Sequence, residues 1–176
     1  MAGKDIRGKN AHYEELWKHL KSGDWENIKD ILKKHPNILG KNITALNKKV
    51  LHMAVFAGQK KIVENLVDLM EDKDLRRRDK YGYTALAETT LHGNYEMADC
   101  MLKKDMGLVS VPSYNTKLLP VVLAVFHKHM KLARYLYRCT PLEDLLEKNG
   151  PSGVTLIIQV MYTSDFGKNL SSFNIY

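Results

Sequence analysis

Histidines and carboxylates are the residues of this chain whose positions most readily suggest chemistry. The stretch VLHMAVFAG, residues 50–58, is mostly apolar and contains His52, which is a candidate metal ligand, general base or structural residue. His127 and His129 flank Lys128, and a metal ion would need further ligands near them. No such ligand is evident, so we interpret this pair as an exposed turn and predict no metal.

Two charged clusters also deserve a chemical interpretation. Asp24 and Glu26 flank Trp25, but we do not expect paired-carboxylate catalysis there. The sequence RRRDK, residues 76–80, is either a patch for phosphate or an acidic partner, or a hydrated loop beside the acidic sequence EDKD at residues 71–74. We favour the hydrated loop. The chain contains no phosphate-binding loop, dinucleotide fingerprint, HExxH or GxSxG motif, so we predict no enzyme activity and no cofactor.

Length and composition restrict the class of protein. The 176 residues suit one domain or a short repeat array, and 44% are hydrophobic, so a core can form. The longest apolar run, LLPVVLAVF at residues 118–126, is shorter than the ~20 residues that span a bilayer. The N-terminal sequence MAGKDIRGKN has no apolar segment typical of a signal peptide. Cys100 and Cys139 lack CxxC spacing, which favours a reducing compartment, and we expect a cytoplasmic location.

The net charge of +7 is distributed unevenly along the chain. Residues 1–49 carry 11 Lys/Arg against 6 Asp/Glu. This basic third either favours an anionic partner, such as phospholipid, nucleic acid or an acidic protein, or is a solvated helix surface, which we favour. Nucleic-acid binding is the weakest of these hypotheses, because no basic surface with interleaved aromatic residues stands out.

The elements that position these residues repeat every 35 residues. Gly23, Gly58 and Gly93 mark the period, and Lys128 takes the fourth place. Three positions around these anchors are apolar in all four copies. Seven residues before the anchor are Leu16, Leu51, Leu86 and Val121. Five residues after it are Ile28, Val63, Ala98 and Ala133, and eight residues after it are Ile31, Leu66, Met101 and Leu136. A period of this length indicates a repeat protein.

Each unit is predicted to contain two helices joined by a tight turn. The second helices are ENIKDILKKH, KKIVENLVDLM, YEMADCMLKK and MKLARYLYRC, each with one apolar face. The anchor glycine ends the first helix, where a left-handed conformation is cheap only for glycine. Asp79 and Gly82 form a turn before the next unit, and Thr84 is a candidate N-cap.

The sequence DKYGYTAL, residues 79–86, followed by GNYEMADCML resembles the ankyrin repeat. The Thr-Pro-Leu-His pattern of that family is scattered over the copies, at Thr84, Pro120, Leu51, Leu86 and His52. The resemblance implies an all-α solenoid of about four repeats plus a partial fifth. The ankyrin period is about 33 residues, and we place the excess here in long loops such as MEDKDLRRRDKYG.

The resemblance covers residues 13–164. We predict repeats at residues 13–46, 47–81, 82–116 and 117–152, and a partial repeat at residues 153–164. Residues 1–12 are predicted to be a disordered segment and residues 165–176 a poorly ordered tail. The tail is either a poor cap for the solenoid or the place where a longer chain was cut.

Residues 135–166, YLYRCTPLEDLLEKNGPSGVTLIIQVMYTSDF, resemble a large group of plant ankyrin proteins. Full-length members of that group usually carry a C-terminal membrane domain with a Pro-Gly-Gly motif. The resemblance implies a role in defence, cell-death or stress signalling. This chain lacks the membrane region, so membrane association would come through a partner.

The ankyrin resemblance also implies where a partner protein binds and what His52 does. Its histidine begins an inner helix and hydrogen-bonds to a neighbouring loop, so we interpret His52 as structural. The contact positions are the turn residues and the two residues before the anchor. They correspond to Phe56, Ala57, Lys80, Tyr81, Tyr83, Leu91, His92, Tyr114, Asn115, Phe126 and His127.

Two alternatives remain for the apolar row Phe56, Leu91 and Phe126. These side chains either form the core of an interface or pack between repeats. We predict a non-catalytic protein-interaction scaffold. The alternative is a peripheral binder of anionic lipid that uses the basic N-terminal third.

Overall fold

The structure is a computed structural model that describes residues 3–146, Gly153 and Thr155, with side chains from Tyr13 onward. These residues form helices and turns without strands, which confirms the all-α prediction. The helices are α1 Gly3–Ser22, α2 Trp25–Lys34, α3 Val50–Phe56, α4 Lys60–Leu69, α5 Asp72–Leu75, α6 Ala85–His92, α7 Tyr95–Lys104, α8 Pro120–Phe126, α9 Met130–Cys139 and α10 Leu142–Leu146, with 3₁₀ helices at Pro36–Gly40 and Met106–Ser110.

Four helix pairs follow the 35-residue period. Helices α1, α3, α6 and α8, which we call the inner helices, each lead into α2, α4, α7 or α9, the outer helices. Every outer helix has ten residues, and they begin at Trp25, Lys60, Tyr95 and Met130. Inner helix α6 packs between α3 and α8, and outer helix α4 packs against α7. The pairs therefore stack as a repeat array, as the sequence pattern predicts.

The anchor residues adopt the left-handed conformation expected of them. Gly23, Gly58 and Gly93 have φ angles of 72°, 70° and 70°. Lys128 keeps this conformation, with a φ of 62°, although it is not a glycine. The tight turn is therefore a property of the repeat, and the fourth copy forms it at the cost of some backbone strain.

The twelve apolar positions read from the period all belong to one buried core. Helices α2, α4, α7 and α9 each contribute two of these residues, and the inner helices contribute the other four. Because a helix of this length is marginal alone, the shared core stabilises all of them. The sequence predicted this core correctly.

A short helical turn follows each outer helix, where the sequence suggested an extended loop. The four turns are Pro36–Gly40, Asp72–Leu75, Met106–Ser110 and Leu142–Leu146. Each places an apolar side chain in the core, at Ile38, Leu75, Leu108 and Leu145, and the third turn also buries Val109. Four or five residues are too few to show a helical period in sequence, so these turns were missed.

The N-terminal segment differs from its prediction, and most of the C-terminal prediction falls on residues that the structure does not describe. Helix α1 begins at Gly3, whereas residues 1–12 were expected to be disordered. Residues 3–12 show no amphipathic pattern, and a helix can extend from a packed turn without one because propagation is cheaper than nucleation. Most of the partial repeat at residues 153–164 and the whole tail at residues 165–176 lie outside the described residues. Gly153 and Thr155 are helical.

Candidate functional site

His52 lies inside the fold with both ring nitrogens engaged. Its Nε2–H donates to the carbonyl oxygen of Tyr83 at 2.9 Å, and Nδ1 accepts from the backbone N–H of Lys49 at 3.4 Å. This arrangement needs a neutral imidazole. Burial lowers the pKa of His52 to about 4. The prediction that His52 is structural and bonds to a neighbouring loop is confirmed, since neither nitrogen is available for a ligand or a proton transfer.

His129 has a structural role that the sequence did not suggest. Its Nε2–H bonds to the carbonyl oxygen of Leu91, 3.2 Å away, and its ring lies against Gly93. Gln59, at the equivalent position two repeats earlier, makes the same kind of bond to the carbonyl of Lys21 at 2.8 Å. Both bonds satisfy carbonyls at the end of the inner helix of the preceding repeat. His129 therefore joins two repeats and is not part of an exposed turn.

His127, the other member of this pair, is half-buried. Burial lowers its pKa, and the nearby His129 and His92 lower it further. Within residues 13–146, no three His, Cys, Asp or Glu side chains come together as metal ligands.

The paired carboxylates at residues 24 and 26 have separate partners. Asp24 caps helix α2 by accepting from the backbone N–H of Asn27 at 3.2 Å. Its hydrogen bonds with Asn27 hold the pKa of Asp24 below its usual value. Glu26 pairs with Lys29 at 2.6 Å. The two carboxylates serve the helix terminus and do not face a common reacting atom.

The three arginines at residues 76–78 are already engaged within the fold. Arg76 makes a bidentate pair with Asp105, with N–O distances of 2.6 and 2.7 Å. Arg77 pairs with Asp74 of the acidic run at 2.7 Å. The Arg78 guanidinium lies 4.4 Å from the centroid of the Tyr114 ring. These contacts favour the interpretation that the acidic run balances the cluster, over a free phosphate site.

The predicted apolar row lies outside the core. Phe56 and Phe126 have 55% and 56% of their surface exposed, and Leu91 is half-buried. All three lie at the ends of inner helices, one repeat apart. We call these residues the inner-helix row. Their exposure does not fit the alternative that they only fill gaps between repeats.

Ring contacts connect the inner-helix row to its neighbours. The Phe56 ring lies 6.1 Å from Trp17 and 5.8 Å from His92, measured between centroids. Phe126 contacts His127 edge to face at 5.4 Å. Trp17, which the sequence analysis did not select, therefore extends the aromatic surface to helix α1. Ala57, the neighbour of Phe56, is half-buried and is the C-cap residue directly after helix α3.

A buried ion pair beneath Phe56 was also missed. Lys48 Nζ lies 2.6 Å from Glu88 Oε1 and 5.4 Å from the centroid of the Phe56 ring. The side chains are 15% and 2% exposed. Glu88 Oε2 is buried without a hydrogen-bond partner. Met53 and Leu123 occupy the place of Glu88 one repeat before and after. A charged residue at a repeat position that is otherwise apolar was therefore the sign of this pair in the sequence.

The predicted finger residues lie in residues 76–84 and 111–119, which with residues 41–49 we call the finger loops. Lys80, Tyr81, Tyr114 and Asn115 are exposed. Tyr83 is half-buried, and burial raises the pKa of its phenol. Its carbonyl accepts the bond from His52, so Tyr83 mainly supports the loop.

The second and third finger loops are in direct contact. A Cβ at Gly82, which has a φ of 83°, would lie 2.3 Å from the backbone nitrogen of Tyr114. Glycine is therefore required at Gly82 both for its backbone conformation and for space. The contact fixes Tyr114 relative to Tyr81.

Two of the grooves formed by the described residues bear on where a partner could bind. One of about 360 Å³ is lined by Tyr13, Trp17, Ile43 and Met53 among others, beside the inner-helix row. The other, of about 760 Å³, lies between outer helices α4 and α7. Its charges are largely paired, as in Lys60–Glu96 at 2.9 Å. The exposed aromatic side chains that are typical of an interface core are therefore on the inner side.

A comparison with known protein families agrees with this geometry. None of the described helices has the length and hydropathy needed to cross a membrane. A search of the curated proteins found no match to the chain. A family model described as ankyrin repeats, in three copies, matches residues 51–149, which is more than half of the sequence. The helix pairs, the 35-residue period and this match together place the chain in the ankyrin repeat family.

Proposed function

We propose that this protein is a non-catalytic scaffold that binds a partner protein through the inner-helix row and the finger loops. Ankyrin repeats generally mediate protein–protein interaction. The observation that carries the proposal is the exposure of Phe56 and Phe126, which remain outside a core that takes in the other large apolar side chains of α3 and α8. A few aromatic anchors on a rigid support are the usual source of binding energy at an interface.

The binding surface we propose consists of the residues expected from the sequence. Its apolar centre is Phe56, Leu91 and Phe126, with Ala57, His92 and His127 beside them. Its edge is Lys80, Tyr81, Tyr83 and Tyr114 in the finger loops. Aromatic residues at the centre and polar residues at the rim are the common arrangement of protein interfaces.

The biological setting rests on resemblance alone. Residues 135–166 resemble plant ankyrin proteins of defence and stress signalling, and residues 147–166 of that stretch lie outside the described residues except Gly153 and Thr155. We propose a signalling role of this kind, with a cytoplasmic location. Tracing the gene downstream of Tyr176 tests this, because a Pro-Gly-Gly membrane domain there would support it.

The experiment for the scaffold is a quantitative pulldown from native tissue. The double variant Phe56→Ser/Phe126→Ser is expected to lose the captured partner while its melting temperature stays close to that of the parent protein. Leu69→Ser is the matched control, because Leu69 is 56% exposed at the end of outer helix α4. Retention of the partner by the double variant, or loss of it by Leu69→Ser alone, would contradict the proposed surface.

Binding to anionic lipid remains the alternative proposal, supported by the basic N-terminal third. Sedimentation with anionic liposomes at low and high salt separates it from the scaffold. Binding through surface lysines should fade as salt rises, because ions screen exposed charges beyond about 10 Å at 0.1 M. Binding that persists with the Phe56→Ser/Phe126→Ser variant would favour lipid over a protein partner.

A further inference from the structure

Charge is segregated between the two sides of the array. Inner helices α3, α6 and α8 with the finger loops, residues 40–58, 76–92 and 111–128, carry nine Lys/Arg and two Asp/Glu. Outer helices α4, α7 and α9 with the turns after them, residues 59–75, 93–110 and 129–146, carry eight Lys/Arg and ten Asp/Glu. The strong positive excess is therefore on the side that bears the inner-helix row.

Both acidic residues of α3, α6, α8 and the finger loops are buried and engaged. Asp79 Oδ1 accepts the backbone N–H groups of Tyr81 and Tyr83, each at 2.9 Å. Glu88 pairs with Lys48. Within residues 40–58, 76–92 and 111–128, no carboxylate is exposed. Among the side chains described from Tyr13 onward, the exposed carboxylates of the inner side are therefore those of Glu14 and Glu15 on helix α1, and a partner that contacts α3, α6, α8 and the finger loops meets no negative charge at the surface.

Several cations of the inner side have no internal carboxylate. Arg76 and Arg77 pair with Asp105 and Asp74, and buried Lys49 donates to backbone carbonyls. The remaining cations are Lys41, Arg78, Lys80, Lys117 and Lys128, and none of them has a carboxylate within 4.0 Å in the part of the chain the structure describes. Arg78 contacts the Tyr114 ring and the lysines are exposed. The four lysines are available to an anionic ligand, and Arg78 can donate its N–H groups to one while its guanidinium stays on the Tyr114 ring.

We infer that the partner segment held by this surface is an acidic peptide with apolar side chains spaced to match the inner-helix row. This inference rests on the proposed function and names the chemistry of its partner. The lysines and Arg78 complement carboxylates, and Phe56, Leu91 and Phe126 receive apolar side chains. Complementary charge of this kind mainly sets specificity and association rate, while the buried apolar contacts supply affinity.

The repeat geometry sets the spacing of the apolar anchors in the partner. Packed helices lie about 8–10 Å apart, so neighbouring members of the row have about that separation. An extended peptide advances about 3.3 Å per residue and a helix about 1.5 Å. The anchors are therefore about three residues apart in an extended partner and about five to seven apart in a helical one.

The apolar row favours a peptide over a nucleic acid as the anionic ligand. Single-stranded nucleic acid binds through bases stacked on aromatic faces beside a positive groove. Here the ring of Tyr114 already carries Arg78, and Leu91 offers no face for stacking. A peptide satisfies both parts of the surface, because it can present carboxylates and aliphatic side chains together.

The test is selection of a displayed library of random 16-residue peptides on the purified protein at low salt. We expect enriched peptides to be rich in Asp and Glu, with apolar residues at one of the two spacings. Neutral or basic consensus sequences that still require Phe56 and Phe126 would overturn the inference of an acidic partner, without contradicting the proposed scaffold function. Enriched peptides that bind Phe56→Ser/Phe126→Ser equally well would overturn the scaffold itself.

Affinity measurements on a selected peptide then test the cations directly. The variant Lys80→Gln/Lys117→Gln should weaken binding about fivefold to tenfold at low salt and reduce the dependence of affinity on salt. The control Lys33→Gln/Lys34→Gln removes the same charge from outer helix α2 and should change affinity less than twofold. Equal effects of the two variants would contradict a localised acidic contact. A single-stranded 20-nucleotide RNA that binds more tightly than the peptide, through Lys80 and Lys117, would overturn the inference in favour of nucleic acid.

Discussion

At the scale of single residues, His52 shows how burial turns a reactive side chain into a structural one. The imidazole is 1% exposed, between helix α3 and the loop that carries Tyr83. Its low pKa follows mainly from burial, with Lys49 and Lys48 adding to the effect and the bond to Tyr83 opposing it. The residue therefore stays neutral throughout the physiological range and cannot act as a proton switch there.

This state of His52 predicts a specific loss of stability in acid. The folded pKa of about 4 lies below the ordinary value of 6.5, so between these values the unfolded chain binds a proton that the folded chain does not. The free energy of unfolding should therefore fall as the pH drops from about 6.5 to 4, by about 3 kcal/mol in total from this group. Urea denaturation at half-unit pH intervals measures it.

The variant His52→Gln is the control for that prediction. Glutamine does not titrate, so the variant should be less stable than the parent at pH 7 and should lose much less stability on acidification. The two curves should converge near pH 4. Parallel loss of stability in both proteins would assign the acid sensitivity to other groups and contradict the proposed role of His52.

At the scale of elements, sequence periodicity was sufficient for the outer helices and insufficient for the short turns. A ten-residue helix such as α7 repeats its buried positions at Met97, Met101 and neighbours, which a period reveals. Asp72–Leu75 spans one turn and has a single buried residue, Leu75, so its sequence shows no repeat of buried positions. The N-cap at Thr84 could be predicted because capping depends on residue type and local position, and its Oγ1 accepts from the backbone N–H of Ala87.

The candidate site, too, could be predicted only where local sequence determines it. Positions such as Phe56 and Tyr81 could be taken from the ankyrin pattern, because they depend on register alone. The Lys48–Glu88 pair joins residues 40 apart, and the contact of Arg78 with Tyr114 joins two loops. Neither pairing is encoded in local spacing, so only the three-dimensional structure reveals it.

The turn between helices α8 and α9 offers a test of backbone strain. Lys128 has a φ of 62°, where the other three repeats have glycine. A non-glycine residue is strained in this conformation, and the strain is partly offset because glycine has a more disordered unfolded state. Lys128→Gly should therefore raise the free energy of unfolding by about 0.5–1 kcal/mol, measured by urea denaturation.

Gly58→Lys is the matched reverse change. Gly58 has a φ of 70°, and a Cβ there would meet no atom within 4 Å, so its cost reflects the backbone and not a clash. We expect it to lower stability by a similar amount. If Lys128→Gly were neutral or destabilising while Gly58→Lys were harmful, a contact of the Lys128 side chain would outweigh the strain.

At the scale of the whole molecule, each repeat is stabilised by its neighbours, and the first repeat has a neighbour on one side only among the described residues. Helix α6 packs against both α3 and α8, whereas helix α1 packs against α3 and its own α2. In a one-dimensional array, stability is the sum of repeat and interface contributions, so opening at an end costs fewer interfaces than opening in the middle. Equivalent residues in different repeats should therefore differ in the effect of the same substitution.

Leu16 and Leu86 provide the comparison, because both occupy the same repeat position and are 0% exposed. Replacing either by alanine should remove about 2–5 kcal/mol of packing. In Leu16→Ala this loss should accelerate hydrogen exchange mainly in α1 and α2 and leave α6 to α9 protected. In Leu86→Ala exchange should accelerate on both sides of α6, and the main urea transition should move to lower concentration. Uniform acceleration along the chain in both variants would mean that the array unfolds as one cooperative unit, with the first repeat as firmly held as the central ones.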